Sequence, residues 1–599
     1  MNAQLHASRL AALRAMMQQH GIAACLVPSA DPHLSEYLPE HWQARAWLTG
    51  FDGSAGTLVA TADFAGVWTD SRYFEQAERQ LAGSGIELVR QRIAHAPEHI
   101  GWLAERLGPG TVLAVAGDSL SVAGARALQR QLDASGATLR TDLDLPGLIW
   151  PERPVLPQRA VTAHPDAYAG TPRADKLARV RAAMREAGAS HHLVSTLDDI
   201  AWLTNLRGSD VDYNPVFLAH LLLDTKRATL FAGAGRFDAA LLAALAADGI
   251  AVRDYGDMAA ALTALPATAR LLIDPQRCVV ALLDAVPAAV QRSEAANPSV
   301  HMKAVKSAHE LGHIRDAMRQ DGAALVTAMH AIERDLVAGV PVTELDVDRR
   351  LREARAAHPD FVGESFATIA GYMANGALPH YRATAENHAS LALDGLLLID
   401  SGGQYLGGTT DITRVWAFGQ TSAEQRHDAT RVLQGMIHLS RAHFPAGASG
   451  PQLDALARAP IWADNADYGH GTGHGVGYFL NVHEGPHGIR PPVPGGALVP
   501  LEPGMIVSIE PGLYKPGRHG IRHENLAVVR TAAETEFGSF FAFETLTLCP
   551  IDTRAIEAAQ LEPSERAWLN TYHAQVEAAL APLLGATDRA WLHTRCTPV

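Results

Sequence analysis

The sequence predicts an α/β (α+β) protein: two duplicated N-terminal α/β domains, a strand-bearing domain that carries the chemistry, and a helical tail. Three observations predict it. The tetrapeptide Ala46-Trp47-Leu48-Thr49, leading to Gly53-Ser54, returns 155 residues later as Ala201-Trp202-Leu203-Thr204, leading to Gly208-Ser209. Each copy follows a helix–Gly–strand unit, at Gly21 and at Gly188, and precedes an apolar strand and an Arg-aromatic pair, Arg72-Tyr73 and Arg236-Phe237. Between residues 361 and 548, apolar runs of strand length alternate with Gly-rich turns. Beyond them Ala558, Leu561, Trp568, Leu569, Tyr572, Val576 and Leu580 follow helical spacing.

Taken in chain order, Leu5, Leu10, Leu13, Met16 and Met17 predict a first helix that ends at Gly21 and meets a strand over Ile22–Val27. The first acidic residue is Asp31, and an acid-poor, Arg-containing start is also a property of transit peptides. The helix–Gly–strand continuation reads instead as the opening of a folded domain. Arg9 and Arg14 interrupt the apolar stretch a signal peptide needs, so a cytoplasmic protein is expected. A Pro-rich joint near Pro151–Pro165 separates a first domain, 1–155, from a second, 156–300. After a second joint near Pro298, Ala308–Arg334 reads as a long amphipathic helix with Leu311, Ile314, Met318, Ala323, Leu325 and Met329 inward. Leu396–Ile399, Ile412–Trp416, Met505–Ile509 and Leu526–Val529 are the predicted strands of the third domain, 301–548. The tail, 549–599, suits core packing or a subunit contact.

Composition excludes several classes. Of 599 residues, 47% are hydrophobic and 19% charged, which excludes a largely disordered chain. A net charge of −14 argues against a general nucleic-acid binder and against adsorption to acidic membranes. No apolar run approaches the ~18 residues of a membrane span. Cys25, Cys278, Cys549 and Cys596 lie far apart with no CxxC pair, so neither a zinc ribbon nor a disulfide scaffold is indicated. Any metal site must draw on carboxylates and on the 28 histidines.

Such a set is present. The apolar run Leu396–Ile399 ends in Asp400-Ser401-Gly402-Gly403, and a carboxylate ending a buried strand is costly unless paired or bound to a cation. Eleven residues on, Asp411 in Thr410-Asp411-Ile412-Thr413-Arg414 opens another strand. A hairpin through Gly402–Gly408 would set Asp400 and Asp411 face to face, at a Cβ separation of about 4.5–5.5 Å. Two carboxylates that close repel unless a multivalent cation lies between them; singly, each Asp could equally be a turn or cap residue. His470-Gly471-Thr472-Gly473-His474-Gly475 follows, too Gly-rich for a helical HExxH site, with His483-Glu484 nine residues beyond His474. Ile506–Ile509 ends in Glu510, and Glu524 in Gly520-Ile521-Arg522-His523-Glu524-Asn525 precedes an apolar strand. Asp400, Asp411, His474, Glu510 and Glu524 give four carboxylates and one imidazole, enough negative charge for two divalent cations. That donor set suits Mn²⁺, with Zn²⁺ or Co²⁺ as alternatives.

These motifs carry a resemblance. DSGGQYLGGTTDITR, GHGTGHGVGYFLNVHEGP, SIEPGLY and GIRHEN resemble the creatinase/methionine aminopeptidase superfamily with its pita-bread fold. WLTGFDGSAGT, TDSRYF, NLRGSDVDYNPVF, ALPHY and the tail segment ERAWLNTYHAQV extend the likeness, over almost the whole chain, to the three-domain Xaa-Pro aminopeptidases. The resemblance implies creatinase-like N-terminal domains that roof a cleft, and a dinuclear centre with Asp400, Asp411, His474, Glu510 and Glu524 as ligands. It implies catalytic roles for His380, His470, His483 and Glu510, and substrate contacts from Arg72, His380, His483, Tyr514 and Arg522. It also implies a homodimer acting on short peptides with an N-terminal Xaa-Pro.

The implied reaction is hydrolysis of the bond between an N-terminal residue and a following proline. Three rivals stay open here: a prolidase cleaving only Xaa-Pro dipeptides, a non-catalytic peptide- or protein-binding member, and a creatinase-like amidinohydrolase. The five intact ligands disfavour the last two, and the length and tail disfavour the prolidase.

Overall fold

The structure is a computed structural model, and it describes residues 3–93, 96–492 and 498–599. The chain divides into two compact units, Met1–Val300 and His301–Val599.

The N-terminal unit holds two six-stranded sheets of one design. The first uses β1 (Ala24–Pro28), β2 (Thr57–Thr61), β3 (Ala65–Thr69), β4 (Glu87–Arg90), β5 (Val112–Ala114) and β6 (Thr138–Arg140). Its order is β4-β3-β2-β1-β5-β6. The second uses β7 (His191–Val194), β8 (His220–Asp224), β9 (Ala228–Phe231), β10 (Ile250–Arg253), β11 (Arg270–Ile273) and β12 (Gln291–Glu294), in the order β10-β9-β8-β7-β11-β12. In each, the first strand pairs antiparallel with the second and parallel with the fifth. The repeated tetrapeptide ends a helix in both copies, Ala44–Thr49 and Leu197–Thr204. Gly21 and Gly188 both sit at φ +65°, the left-handed turn that lets each opening helix stop and its strand begin. Sequence echo and sheet order therefore agree on duplication.

The C-terminal unit begins with a helix over Ala308–Val337, started by a reciprocal cap between Ser307 and Glu310. Two small sheets carry the segments of interest. One is antiparallel, Ile369–Tyr372, Leu396–Ser401 and Ile412–Ala417; the other joins His443–Pro445, Gly538–Thr545, Asn525–Thr535 and Ile506–Ile509. Helices Ala423–Ser440 and Gly450–Trp462 pack against them through Leu433, Met436, Ile437, Leu453 and Ala457, in a core shared with Leu398, Val415, Val507 and Ile521.

The tail belongs to this core. It forms two helices, Pro563–Leu580 and Ala586–Arg595, where the spacing predicts one that starts near Ala558. Ala558–Gln560 is a short 3₁₀ turn, and Pro563 starts the helix proper. Leu569, Tyr572, Val576, Leu580 and Leu592 are buried among residues of the preceding domain. All four cysteines are buried free thiols, and no described helix is long and apolar enough to cross a membrane.

Candidate metal centre

Two strand-turn-strand units each bring a pair of carboxylates to one place. In the first, the strands Leu396–Ser401 and Ile412–Ala417 pair antiparallel with Asp400 opposite Thr413 and Ser401 opposite Ile412. Asp411 therefore stands diagonal to Asp400, two residues along the same face. The expected face-to-face pairing is corrected by the turn, which makes its own ladder, Gly403–Tyr405 with Gly408–Thr409. In the second unit the register Ile509↔Asn525 continues beyond a gap as Gly512↔Arg522, so Glu510 and Glu524 are the pair that face each other.

His474 completes the set from the Gly-rich segment. Its Nε2 lies 3.4 Å from Asp411 Oδ2 and 3.4 Å from Glu510 Oε1. Its Nδ1–H donates to the Gly475 carbonyl at 2.9 Å, which turns Nε2 toward the carboxylates. Asp411, His474 and Glu524 each offer a ligand atom within 4.8 Å of the others. Gly473 makes this approach feasible: a Cβ there would strike the Ser508 carbonyl on the strand leading to Glu510. Ser508 Oγ accepts from His474 N–H at 2.9 Å and donates to Glu510 Oε1 at 3.1 Å.

The electrostatics fit cations. Burial and the neighbouring carboxylates hold the carboxyl pKa values of Asp400, Glu510 and Glu524 above their ordinary range, against the opposing pull of Arg522. Burial works against a charge on His474, but its hydrogen bond to Asp411 and the charges of Glu510 and Asp411 outweigh it and raise the pKa to about 9. Asp400 Oδ1 is buried with no hydrogen-bond partner. A pocket that penalises its own charges and leaves a carboxylate oxygen unsatisfied is one that divalent cations complete.

Arg522 links the remaining groups. Its Nη2 donates to Asp400 Oδ2 at 2.5 Å, its Nη1 to Tyr514 Oη at 2.6 Å, and its Nε to Thr413 Oγ1 at 3.1 Å. Tyr514 Oη lies 2.8 Å from His470 Nε2. The Arg522 Nη2 also reaches the carbonyl of Pro379 at 3.4 Å, which anchors the loop carrying His380. The His483 ring stands edge-on to His474 at 4.3 Å between centroids. Arg72, in the N-terminal unit, closes its fork on Asp70 at 2.8 and 2.7 Å and lies over Tyr73. Thr413 and Ser508 escaped the reading of the sequence. Thr413 Oγ1 donates to Glu524 Oε2 at 2.8 Å. Both stand two residues from a carboxylate, which is the one signal the sequence offers for them.

The chain matches the model of metallopeptidase family M24 over residues 312–531. Residues 9–154 and 152–310 match creatinase/prolidase N-terminal domain models, and 539–599 match the C-terminal region of peptidase M24. A probable Xaa-Pro aminopeptidase P of Laccaria bicolor is 38% identical over 613 residues, covering 99% of this chain and 93% of that protein. The crystal structure of an X-prolyl aminopeptidase from Caenorhabditis elegans, described as a cytosolic enzyme with a di-nuclear active site, superposes with a TM-score of 0.94 at 30% identity over 100% of both chains. A dipeptidase PepE from Mycobacterium ulcerans, 28% identical with a TM-score of 0.50, covers 63% of this chain and 96% of its own.

Arg522→Lys keeps a charge beside Asp400 but loses the fork that also holds Tyr514 and Thr413. Divalent-metal affinity is expected to fall by about 10–100-fold, the usual effect of removing a group that orients a ligand. Calorimetric metal titration of the stripped protein checks this, and wild-type affinity would contradict the orienting role.

Proposed function

The chain belongs to metallopeptidase family M24, and we infer that it acts there as a Xaa-Pro aminopeptidase, a metal-dependent hydrolase that removes the N-terminal residue from peptides with proline in second position. The observation that carries this reading is the convergence of four carboxylates and His474 in a chain alike over its full length to enzymes of that name. The mixed α/β architecture, creatinase N-terminal domains followed by a pita-bread domain, is that of the family. The dipeptidase reading is weaker because the dipeptidase relative covers only 63% of this chain. A non-catalytic binding member would have no use for so costly a cluster of buried charge.

We propose Asp400, Asp411, His474, Glu510 and Glu524 as the ligands of two divalent metal ions. The oxygen-rich set with one imidazole favours Mn²⁺ over Mg²⁺. When bound, the two ions supply Lewis acidity, acidifying water and polarising the scissile carbonyl. The protein's own groups then divide the remaining work. Glu510 accepts a proton from the attacking water. His483, beside His474, donates a hydrogen bond to the developing oxyanion. His380 stands by the leaving nitrogen, which carries no N–H in an imide bond and must be protonated to depart. His470 holds Tyr514, and Arg522 and Tyr514 position the peptide through the same network that orients Asp400. Arg72, its guanidinium fixed by Asp70, is kept as a substrate-binding residue.

We extend the reading in three respects. The division 1–155, 156–300, 301–548 and 549–599 rests on the repeated sheet order and the family matches. A cytoplasmic location rests on four free thiols and on the worm relative described as cytosolic. A homodimer rests on the family resemblance alone.

Chelation is expected to abolish activity, and Mn²⁺ to restore it more fully than Mg²⁺. The restored protein should cleave Arg-Pro-Pro faster than Gly-Pro and leave Ala-Ala-Ala intact. Preferential cleavage of Gly-Pro would instead mark a prolidase, and full activity without metal would overturn the mechanism.

His483→Ala is expected to lower kcat by on the order of 10²–10³, as for loss of one oxyanion donor, while metal content stays near that of the wild type. Parallel loss of metal and activity would make it a ligand.

Arg72→Ala is expected to spare metal content and to raise KM for tripeptides and longer substrates. Unchanged kcat/KM across a length series of Xaa-Pro peptides would reduce it to a partner of Asp70.

A further inference from the structure

The tail's sequence suits core packing or a subunit contact, yet one of its side chains ends on Arg414, which binds the backbone of a proposed metal ligand. Tyr572, in the helix Pro563–Leu580, is buried, and its hydroxyl accepts from Arg414 Nη2 at 2.8 Å and from Cys549 N–H at 3.3 Å. Its single proton is within reach of the carbonyls of Thr547 and Cys549, both at 3.0 Å. The next residue, His573, accepts from Ile551 N–H at 3.1 Å and so fixes the same strand exit.

Arg414 is the link. It follows Thr413 on the strand Ile412–Ala417 and is 2% exposed. Its Nη1 donates to the backbone carbonyl of Glu524 at 2.5 Å and to that of Thr413 at 3.0 Å. Its Nη2 donates to Asn525 Oδ1 at 2.8 Å and Cys549 O at 2.9 Å as well as to Tyr572, and its Nε to Pro550 O at 3.2 Å. Among the described residues every acceptor of this buried cation is uncharged. An isolated buried guanidinium is expensive and is tolerated only when its donors are satisfied in a fixed geometry. Glu524 is thus held from both sides: Thr413 donates its hydroxyl to the carboxylate and its carbonyl accepts from Glu524 N–H at 3.1 Å, while Arg414 donates to the Glu524 carbonyl from the opposite face of the strand.

We propose that the C-terminal extension is part of the metal centre's scaffold, with Tyr572 a positioning residue that acts through Arg414 on Glu524. The proposal rests on the reading of Glu524 as a ligand. It assigns the tail a role that its other anchors do not share. Glu333, for example, on the helix Ala308–Val337, binds Arg554, Arg595 and the Trp591 indole, and among the described residues these hydrogen-bond partners lie outside the centre.

The test uses the full chain, stripped of metal and titrated with Mn²⁺ by calorimetry, with thermal unfolding of the stripped protein measured in parallel. Tyr572→Phe keeps the buried ring and removes only the hydroxyl. It should weaken Mn²⁺ binding by about tenfold or more, within the 10–100-fold range for groups that orient a ligand. Glu333→Gln loosens the tail elsewhere and should lower the unfolding midpoint at least as much while binding Mn²⁺ as the wild type does. Arg414→Lys should weaken binding too, and adding Tyr572→Phe to it should cost little more, because the two act in series. Wild-type affinity in Tyr572→Phe, equal loss in Glu333→Gln, or additive losses in the double variant would each overturn the inference. Glu524→Gln separates it from the parent reading: undiminished Mn²⁺ affinity in that variant would remove Glu524 from the ligand set.

Discussion

Four carboxylates held in one buried place repel one another, and the C-terminal unit is organised around containing that repulsion. No side chain of such a cluster can drift to relieve it, because each is tied to rigid backbone: Asp400 and Asp411 to one antiparallel ladder, Glu510 and Glu524 to another. The ladders differ in how they present their pairs. Glu510 and Glu524 stand opposed in register, whereas the extra small hairpin between Gly403 and Thr409 moves Asp411 to a diagonal of Asp400. His474 and Arg522 supply the compensating polarity, the first facing Asp411 and Glu510, the second donating through Nη2 to Asp400 Oδ2.

The supporting residues follow from the same constraint. A carboxylate proposed as a ligand must not rotate away, and here the hydroxyls of Thr413 and Ser508 hold Glu524 and Glu510, and Arg522 holds Asp400. Close approach of backbones requires glycine where a Cβ would collide, as at Gly473 against the Ser508 carbonyl. The C-terminal extension joins this arrangement from behind, where the Tyr572 hydroxyl adds a further acceptor to those that hold the buried Arg414 in place. A segment whose sequence suits core packing or a subunit contact is thereby tied to the strand that carries Glu524.

The N-terminal unit shows a different economy. Two sheets of identical strand order are built from sequences that share little beyond one tetrapeptide and a helix-ending glycine. Most of a sheet's apolar positions are interchangeable among Val, Leu, Ile and Ala, so they lose sequence similarity quickly. A left-handed turn such as Gly21 or Gly188 is not interchangeable in that way, since a residue with a Cβ is strained at that positive φ.

By itself the sequence determined the division into repeated α/β domains and a strand-bearing chemical domain. It also picked out Asp400, Asp411, His474, Glu510 and Glu524, because a carboxylate at the end of an apolar strand and histidines among glycines are costly patterns without a cation. Periodicity also located the long helix from Ala308 and the strands beside Asp400, Asp411 and Glu510 to within a few positions. Tertiary structure decided what local pattern cannot encode: which carboxylates face each other, since register depends on the length and pairing of the intervening turn. It decided the course of Arg522 to Asp400, 122 residues away in sequence, and of Tyr572 to Arg414, 158 residues away. It also made two helices of the tail, because Pro563 and the break after Leu580 set the ends where apolar spacing alone runs on.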